Sequence, residues 1–250
     1  MTEIFIKKEI DKKEIALVEN GKLIEYYEED SRDLRKEGNI YLGIVKDIIS
    51  GMQSAFVDIG TEKNSFIHLK DVLPKVDETK EKVKNDINIS KIVKPGQKLL
   101  VQVKKDSNQK KGARVSTHIT IPSKYIVLMP NTDIVTISQK IENKKEQERL
   151  IELVKENLDK DNGAIIRTSA EGKEKEIIED IKKVQNIWKK ILKTSVEPKS
   201  NKAKLIYKSE DLVEKMLMDL SENKINKITV NDEEEKEKIE TLIKENNEYK

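Results

Sequence analysis

Five short runs of strand-forming residues fill most of the stretch between residues 41 and 121. Short strands of this kind, separated by Gly and Pro turn signals, are typical of a small β-barrel. A Lys-rich excursion at residues 75–93 separates the third run from the fourth, and this arrangement favours an OB-fold. The predicted strands are residues 41–49, 53–59, 65–69, 98–104 and 113–121.

After residue 122 the pattern changes to strands that alternate with amphipathic helices. Two short apolar runs predict buried strands, and the helical periodicity between them predicts a strand-helix-strand unit. A second amphipathic helix follows and ends at a linker marked by Pro198. The predicted strands are residues 125–129 and 164–166, and the predicted helices are residues 142–158 and 174–192.

The two ends of the chain are predicted to form one discontinuous domain. Asn20-Gly21 is a strong hairpin turn signal between two strand-like runs. Near the C-terminus a strand lies between two helices and needs a sheet to join, for which the N-terminal hairpin is the obvious donor. The predicted class is therefore α+β. The terminal strands are residues 3–8, 13–19, 22–28 and 224–230, and the terminal helices are residues 209–220 and the stretch from residue 232.

Charge is distributed unevenly along the chain. Residues 36–121 contain 16 Lys and Arg against 10 Asp and Glu, a net charge of +6, whereas residues 209–250 have a net charge of −6. A basic stretch beside an acidic one favours a localised site for a polyanion, although ordinary charge scatter is the alternative. The absence of Cys excludes disulfides and thiolate chemistry. No secretory leader or run of about 18 apolar residues is found, so a cytoplasmic protein without a membrane span is expected.

Two aromatic residues face away from the predicted barrel core. The period-2 rule places Phe56 with Asp58, and Phe66 with His68, on the side opposite the aliphatic residues of their own strands. Outward aromatics in an OB-fold stack on bases, and each contributes about 1–3 kcal/mol. The alternative is that a neighbouring domain or the excursion at residues 75–93 covers them. Single-stranded RNA is the predicted partner, with Phe56, Phe66 and His68 as contacts.

A basic loop joins the fourth and fifth predicted barrel strands. Lys110, Lys111 and Arg114 flank Gly112 in this loop. A Lys pair in a loop is usually only solvated, but cations beside a stacking face contact phosphates. The proximity to the two Phe residues therefore favours RNA binding.

Arg167, Thr168 and Ser169 follow a predicted buried strand. An Arg fork with neighbouring hydroxyls suits an isolated phosphate. From the residues alone, however, an ion pair with Glu171 or a helix-cap role for Thr168 or Ser169 is favoured.

The sequence contains no nucleophile elbow, Walker loop or paired metal-ligand motif. Asp58 and His68 are disfavoured as an acid-base pair, because no third group would orient them.

Five further motifs are spread along the chain: GNIY at residues 38–41, GMQSAFVDIG at 51–60, KKGAR at 110–114, YIVLMPN at 125–131 and IIRT at 165–168. They stand in the order in which the ribonuclease E/G family has them, and the chain resembles that family over essentially its whole length.

The resemblance implies an RNase H-like domain that is interrupted by two insertions. Its parts would be residues 1–37 and 201–250, and the insertions would be an S1-type OB domain at residues 38–121 and a 5′-sensor subdomain at residues 122–200.

By the same resemblance, Phe56, Phe66 and Lys111 would hold single-stranded RNA. Arg167 and Thr168, with the backbone of Val127, would bind a 5′-monophosphate. The resemblance therefore favours a phosphate site over the ion pair with Glu171 or the helix-cap role. Gln139 stands where some members have an Arg that helps the sensor, so weaker discrimination between 5′ ends is expected.

The family's catalytic residues are expected beyond residue 250. Members bind Mg²⁺ there through an Asp pair, and the E branch adds a zinc-linking Cys motif, so this chain is predicted to contain no catalytic or metal residue and to be part of a longer endoribonuclease of RNA processing and decay. Mg²⁺ and homo-oligomers are expected only for the full-length enzyme. A free-standing, non-catalytic RNA-binding protein is the alternative, and a nuclease centre in the RNase H-like part is disfavoured because its predicted strands show no cluster of inward carboxylates.

Overall fold

The computed structural model describes residues 1–30, 35–72, 88–108, 110–196, 201–220 and 225–245. Most of the predicted excursion at residues 75–93, and Pro198 of the predicted linker, lie outside these ranges. The chain divides into two compact units, one formed by Met1–Arg35 with Glu210–Lys250 and the other by Lys36–Ser209. No helix among the described residues is long and apolar enough to cross a membrane.

Strands predominate up to residue 137, and helices and strands alternate from residue 144 onward. Within the described residues the strands are β1 Thr2–Lys8, β2 Lys12–Glu19, β3 Lys22–Asp30, β4 Ile40–Ile49, β5 Ser54–Asp58, β6 Ser65–His68, β7 Lys98–Lys105, β8 Arg114–Ser116, β9 Ile121–Pro122, β10 Ile126–Pro130, β11 Val135–Ile137, β12 Asn162–Ile166, β13 Lys204–Tyr207 and β14 Ile225–Val230. The helices are α1 Ile89–Ile92, α2 Lys144–Asn157, α3 Lys175–Val196, α4 Leu212–Leu220 and α5 Glu233–Glu245.

The first unit is a four-stranded sheet in the order β14-β1-β2-β3, with β14 parallel to β1. Asn20 and Gly21 both have positive φ, which suits the tight turn between β2 and β3. One face of the sheet is apolar and packs with α4 and α5 into a core of Ile4, Ile6, Ile15, Leu17, Leu212, Val213, Met216, Leu217 and Ile239. The RNase H-like character of this unit stays a prediction.

The second unit contains a closed barrel of five strands. Its sheet runs β13-β4-β5-β6-β8-β7, and pairing of β4 with β7 closes the barrel. The predicted α+β class is confirmed, together with a closed five-stranded barrel consistent with an OB-fold. Alternate strand residues fill the barrel, and its core is Tyr41, Val45, Ala55, Val57, Ile59, Ile67, Ile89, Val93, Val101, Val103, Ala113 and Val115.

A second sheet in this unit, ordered β11-β12-β10-β9, packs against α2 and α3. The predicted strand-helix-strand unit is present as β10, α2 and β12, with β11 as an additional strand. β10 and β12 are antiparallel neighbours, whereas β11 and β12 are the parallel pair that α2 connects. β11 was not predicted, since three residues are too few to show a period. The shared core includes Ile126, Leu128, Leu150, Val154, Ala164, Ile166, Ile177, Ile181, Val184 and Trp188.

The predicted strand at residues 113–121 is two strands in different sheets, β8 in the barrel and β9 beside β10. The buried side chain of Gln102 accounts for the break, because it accepts the Thr120 N–H at 2.9 Å and donates to the Thr120 carbonyl at 2.8 Å. β13 was also missed. It pairs with β4, so residues 204–207 join the barrel sheet although the predicted boundary at residue 201 assigns them to the terminal domain.

Candidate functional site

Phe56 and Phe66 form an aromatic pair on the outer surface of the barrel. They are directly opposite each other on β5 and β6, with ring centroids 6.4 Å apart and ring planes at 70°. Their strand neighbours Ala55, Val57 and Ile67 are completely or almost completely buried, whereas both Phe side chains are only partly covered. The alternation therefore leaves two adjacent aromatic rings accessible to a ligand.

Arg114 extends this aromatic pair by one strand, because it is the residue opposite Phe66 on β8. Its guanidinium donates to Asp71 Oδ2 from Nε at 3.2 Å and from Nη2 at 2.9 Å. The Asp71 side chain is only 13% exposed, and the Asp71 carbonyl accepts the Thr117 N–H at 2.9 Å. Asp71, which sequence reasoning missed, thus fixes the plane of Arg114 beside the rings.

Lys110 and Lys111 lie in a tight turn next to the aromatic pair. Asn108 Oδ1 accepts the N–H of Lys110 at 2.9 Å and that of Lys111 at 2.8 Å, which shapes the turn. Both lysine side chains are exposed. Lys63 Nζ also donates to the Asn108 carbonyl at 3.2 Å, so three ammonium groups gather around this turn.

Gly112 allows this turn to lie directly against the chain that enters β6. A Cβ atom built at Gly112 would lie 1.9 Å from the backbone oxygen of Asn64. We expect Gly112→Ala to lower the free energy of unfolding by about 1–3 kcal/mol, the usual cost of overpacking. Gly51→Ala is the matched control, because a Cβ there meets nothing within 4 Å. Equal urea midpoints for the two variants would contradict the close approach.

Asp58 and His68 are not brought together. Asp58 accepts the Gly60 N–H at 2.8 Å and pairs with Lys46 at 3.2 Å, and the Gly60 and Lys46 contacts hold the pKa of the Asp58 carboxyl below its usual range. His68 Nδ1 instead accepts the Lys70 N–H at 3.1 Å. The two side chains stand at opposite ends of the β5–β6 pairing, so the geometry offers no acid-base pair.

Arg167 directly follows β12, and its side chain lies on the face of the sheet that points away from α2 and α3. Its N–H donates to the Tyr125 carbonyl at 2.8 Å, and its Nη1 donates to the Ser123 carbonyl at 3.0 Å. Val127 lies on the same face, opposite Ile165 in the ladder between β10 and β12. The sheet therefore places Arg167 and Val127 on one surface.

Thr168 begins the short 3-10 turn Thr168–Ala170, and its Oγ1 lies 3.1 Å from Ser138 Oγ. The predicted cap role of Thr168 or Ser169 is wrong for this turn, because its N-cap residue is Arg167 and makes no side-chain cap bond. Ser169 Oγ donates instead to the Lys124 carbonyl.

Asp180 supports this surface from the buried face of α3. The side chain, in a residue 3% exposed, accepts the N–H of Tyr125 at 2.9 Å, the N–H of Ile126 at 3.3 Å and the hydroxyl of Ser123. The segment that it holds supplies the carbonyl to which Arg167 donates. Sequence reasoning missed Asp180, although an acidic residue within the apolar stripe of a helix indicates a buried carboxylate that needs hydrogen-bond donors.

A second set of hydrogen bonds joins the first half of α2 to the loop after Thr168–Ala170. Arg149 donates to both carboxylate oxygens of Glu146 at 2.8 Å and to the Lys173 carbonyl at 3.0 Å. Glu146 Oε1 also accepts the Gly172 N–H at 2.9 Å. The Arg149 guanidinium, followed by the Gly172 N–H, lowers the pKa of Glu146 from its ordinary 4.5 to about 2.

This lowered pKa gives the Glu146 contact a definite dependence on pH. Because the pKa of the folded state is the lower one, the contact stabilises the fold fully above pH 4.5 and loses its effect as the pH falls toward 2. We expect Glu146→Gln to be less stable than the parent chain at neutral pH, with a difference that shrinks across this acid range. Urea unfolding at several pH values measures it, and a difference that grew on acidification would contradict the assignment.

The described residues contain no group of three or more His, Asp or Glu side chains placed to hold a metal ion. The structure brings the predicted site residues together in two places, one around Phe56 and Phe66 on the barrel and one around Arg167.

Comparison with known proteins gives consistent matches. A model of the ribonuclease E/G family matches residues 120–250. Ribonuclease G of Salmonella typhimurium is 38% identical over 222 residues, which cover 86% of this chain and 45% of that protein. Ribonuclease G of Haemophilus influenzae is 40% identical over 221 residues, with 86% and 44% covered. Ribonuclease E of a Nostoc species is 36% identical over 196 residues, with 77% and 27% covered. The chain spans less than half the length of these relatives.

Proposed function

Because the chain belongs to the ribonuclease E/G family, we propose that it binds single-stranded RNA within a ribonuclease and holds the RNA by its bases and its 5′ end. The observation that carries this proposal is the outward pair of Phe56 and Phe66 on a closed barrel. Aromatic rings with adjacent cations bind single strands without reading sequence, because every base has a π-face. Lys110 and Lys111 supply the cations for phosphates.

Arg114 has a different role in this proposal from the Lys pair. Its charge is compensated by Asp71, and its planar guanidinium is held beside Phe66. A guanidinium plane stacks on bases as an aromatic ring does. Arg114 is therefore a third platform rather than a phosphate anchor.

The 5′ end of the RNA is proposed to bind at Arg167 and Thr168, beside the backbone of Val127. Support comes from the Arg167 guanidinium and the Thr168 hydroxyl at the end of β12, and from Asp180 and Glu146, which brace the segments around them. A terminal phosphate offers oxygens that a neutral 5′-hydroxyl lacks, so the site favours the phosphorylated end.

RNA cleavage in processing and decay is proposed for the protein as a whole, on the strength of relatives that are named ribonucleases. The described residues contain no group of three or more His, Asp or Glu side chains that could hold a metal ion. In this proposal the residues named above bind and position the RNA.

The 5′-end proposal predicts a preference that depends on Arg167. We expect the chain to bind a short A/U-rich RNA with a 5′-monophosphate roughly 10–100 times more tightly than the same RNA with a 5′-hydroxyl, since hydrogen bonds to a charged group contribute about 1.5–3 kcal/mol. Arg167→Ala is expected to remove this preference, whereas affinity for the hydroxyl RNA stays the same. Fluorescence anisotropy measures both constants, and a gel of the RNA reports cleavage. Equal binding of the two RNAs by the parent chain would refute the site at Arg167.

A further inference from the structure

The second half of α3 carries a strongly basic surface. Residues 181–196 contain five Lys and no Asp or Glu, although the whole chain has 49 basic and 47 acidic residues. All five lysines are exposed, and we call them the α3 lysine face. They are Lys182, Lys183, Lys189, Lys190 and Lys193.

Packing fixes the direction in which these lysines point. Ile181, Val184, Trp188 and Ile191 of the same helix are buried in the core. At about 100° per residue, the five lysines fall within an arc of about 120° on the side opposite these core residues. Along the helix they span roughly 16 Å, at about 1.5 Å per residue.

Most of this positive charge is not paired. Lys189 pairs with Asp159 at 2.8 Å, and the exposed Glu179 lies on the same side of the helix, one turn before Lys182 and Lys183. The four lysines other than Lys189 form no ion pair with any described residue. The screening length is about 8–10 Å at physiological salt, so neighbouring lysines reinforce one another across the face. The result is a fixed patch of positive charge on a rigid helix.

The chemistry of this face suits a phosphate backbone. Lysine is a point charge without the fork that reads base edges, and Trp188, the one aromatic residue of the helix, is buried and cannot stack on a base. A lipid surface suits it less, because the helix buries its apolar stripe in the core and keeps little to insert. RNA is the polyanion that the barrel of the same unit is proposed to bind.

We propose that the α3 lysine face is a second RNA-binding surface, which contacts the phosphates of RNA extending beyond the segment held by the barrel. This inference rests on the proposed function, since it assumes that the unit binds RNA. The face adds a contact that does not depend on the RNA sequence. This contact extends the RNA segment that the protein holds and makes the affinity for long RNA more dependent on salt.

The test compares a quadruple variant with a matched control. The variant replaces Lys182, Lys183, Lys190 and Lys193 with Gln, which removes four charges and keeps good helix formers. The control replaces Lys144, Lys145, Lys155 and Lys160 with Gln, a set of exposed lysines in and beside α2, where Glu residues alternate with Lys. Binding of an 8-nucleotide and a 30-nucleotide single-stranded RNA is measured between 50 and 200 mM salt.

We expect the quadruple variant to flatten the salt dependence for the long RNA only. Four lost phosphate contacts lower the slope of log K against log salt by about 2.8, so the parent chain loses about 50-fold more affinity across this range than the variant. The short RNA is expected to bind alike to the parent, the variant and the control.

Two outcomes would overturn the proposal. One is a long-RNA slope equal to that of the control, and the other is loss of binding to anionic phospholipid vesicles by the variant with RNA binding unchanged. Failure of the barrel proposal would give a different result. The short RNA would not bind to the parent chain, but the quadruple variant would still have a flatter salt dependence for the long RNA.

Discussion

Replacing Phe56 and Phe66 together with Ala is expected to weaken binding of a short single-stranded RNA by a factor of about 30 to 20,000. Each stacked base contributes about 1–3 kcal/mol, and the two rings are adjacent, so both contributions are lost. The fold is expected to persist, because both side chains lie outside the barrel core. The loss is therefore one of affinity rather than of folded protein.

Fluorescence anisotropy with a labelled A/U-rich RNA measures this loss, and urea unfolding checks the fold. The double change Phe5→Ala with Tyr26→Ala is the matched control, because it removes two exposed aromatics from the other unit. Phe56→Trp with Phe66→Trp is expected to restore binding, since any aromatic ring can stack. An alanine pair that bound RNA within twofold of the parent chain would sink the stacking proposal.

The second large effect is expected at Asp180. Asp180→Ala removes the acceptor of two buried backbone N–H groups, those of Tyr125 and Ile126. Each unsatisfied donor costs about 1–3 kcal/mol, so a loss of about 2–6 kcal/mol in the free energy of unfolding is expected. The same variant is expected to reduce the preference for a 5′-monophosphate, because the released segment contains the Ser123 carbonyl that receives Arg167.

Urea unfolding followed by circular dichroism measures the stability change. Glu179→Ala is the control, as its residue precedes Asp180 on the same helix but is exposed. The free energy of unfolding of Asp180→Asn is expected to lie between those of Asp180→Ala and Glu179→Ala, because an amide oxygen still accepts one hydrogen bond. Equal stability of the Asp180→Ala and Glu179→Ala variants would contradict the bracing role of Asp180.

Local patterns predicted the strands of the barrel and the direction of its aromatics well. The alternation that buries Ala55, Val57 and Ile67 also sets Phe56 and Phe66 outward, and both facts follow from the period of a strand. The long amphipathic helix α3 was equally predictable from the sequence, because its apolar stripe repeats over 22 residues.

Contacts between residues distant in sequence were not predictable in the same way. The pairing of Arg114 with Asp71 joins residues that are 43 positions apart and lie in different turns. Asp180 receives its bonds from residues more than 50 positions earlier. Such pairings depend on how sheets and helices assemble, and a local period carries no information about them.

The most direct test of the central claim is to map RNA onto the chain by NMR chemical-shift changes during titration with a short single-stranded RNA. The account predicts the largest changes at backbone amides of residues 54–58, 65–68 and 110–114, on the face that Phe56 and Phe66 share. Changes confined to residues outside the barrel, or none at RNA concentrations that saturate binding, would contradict it.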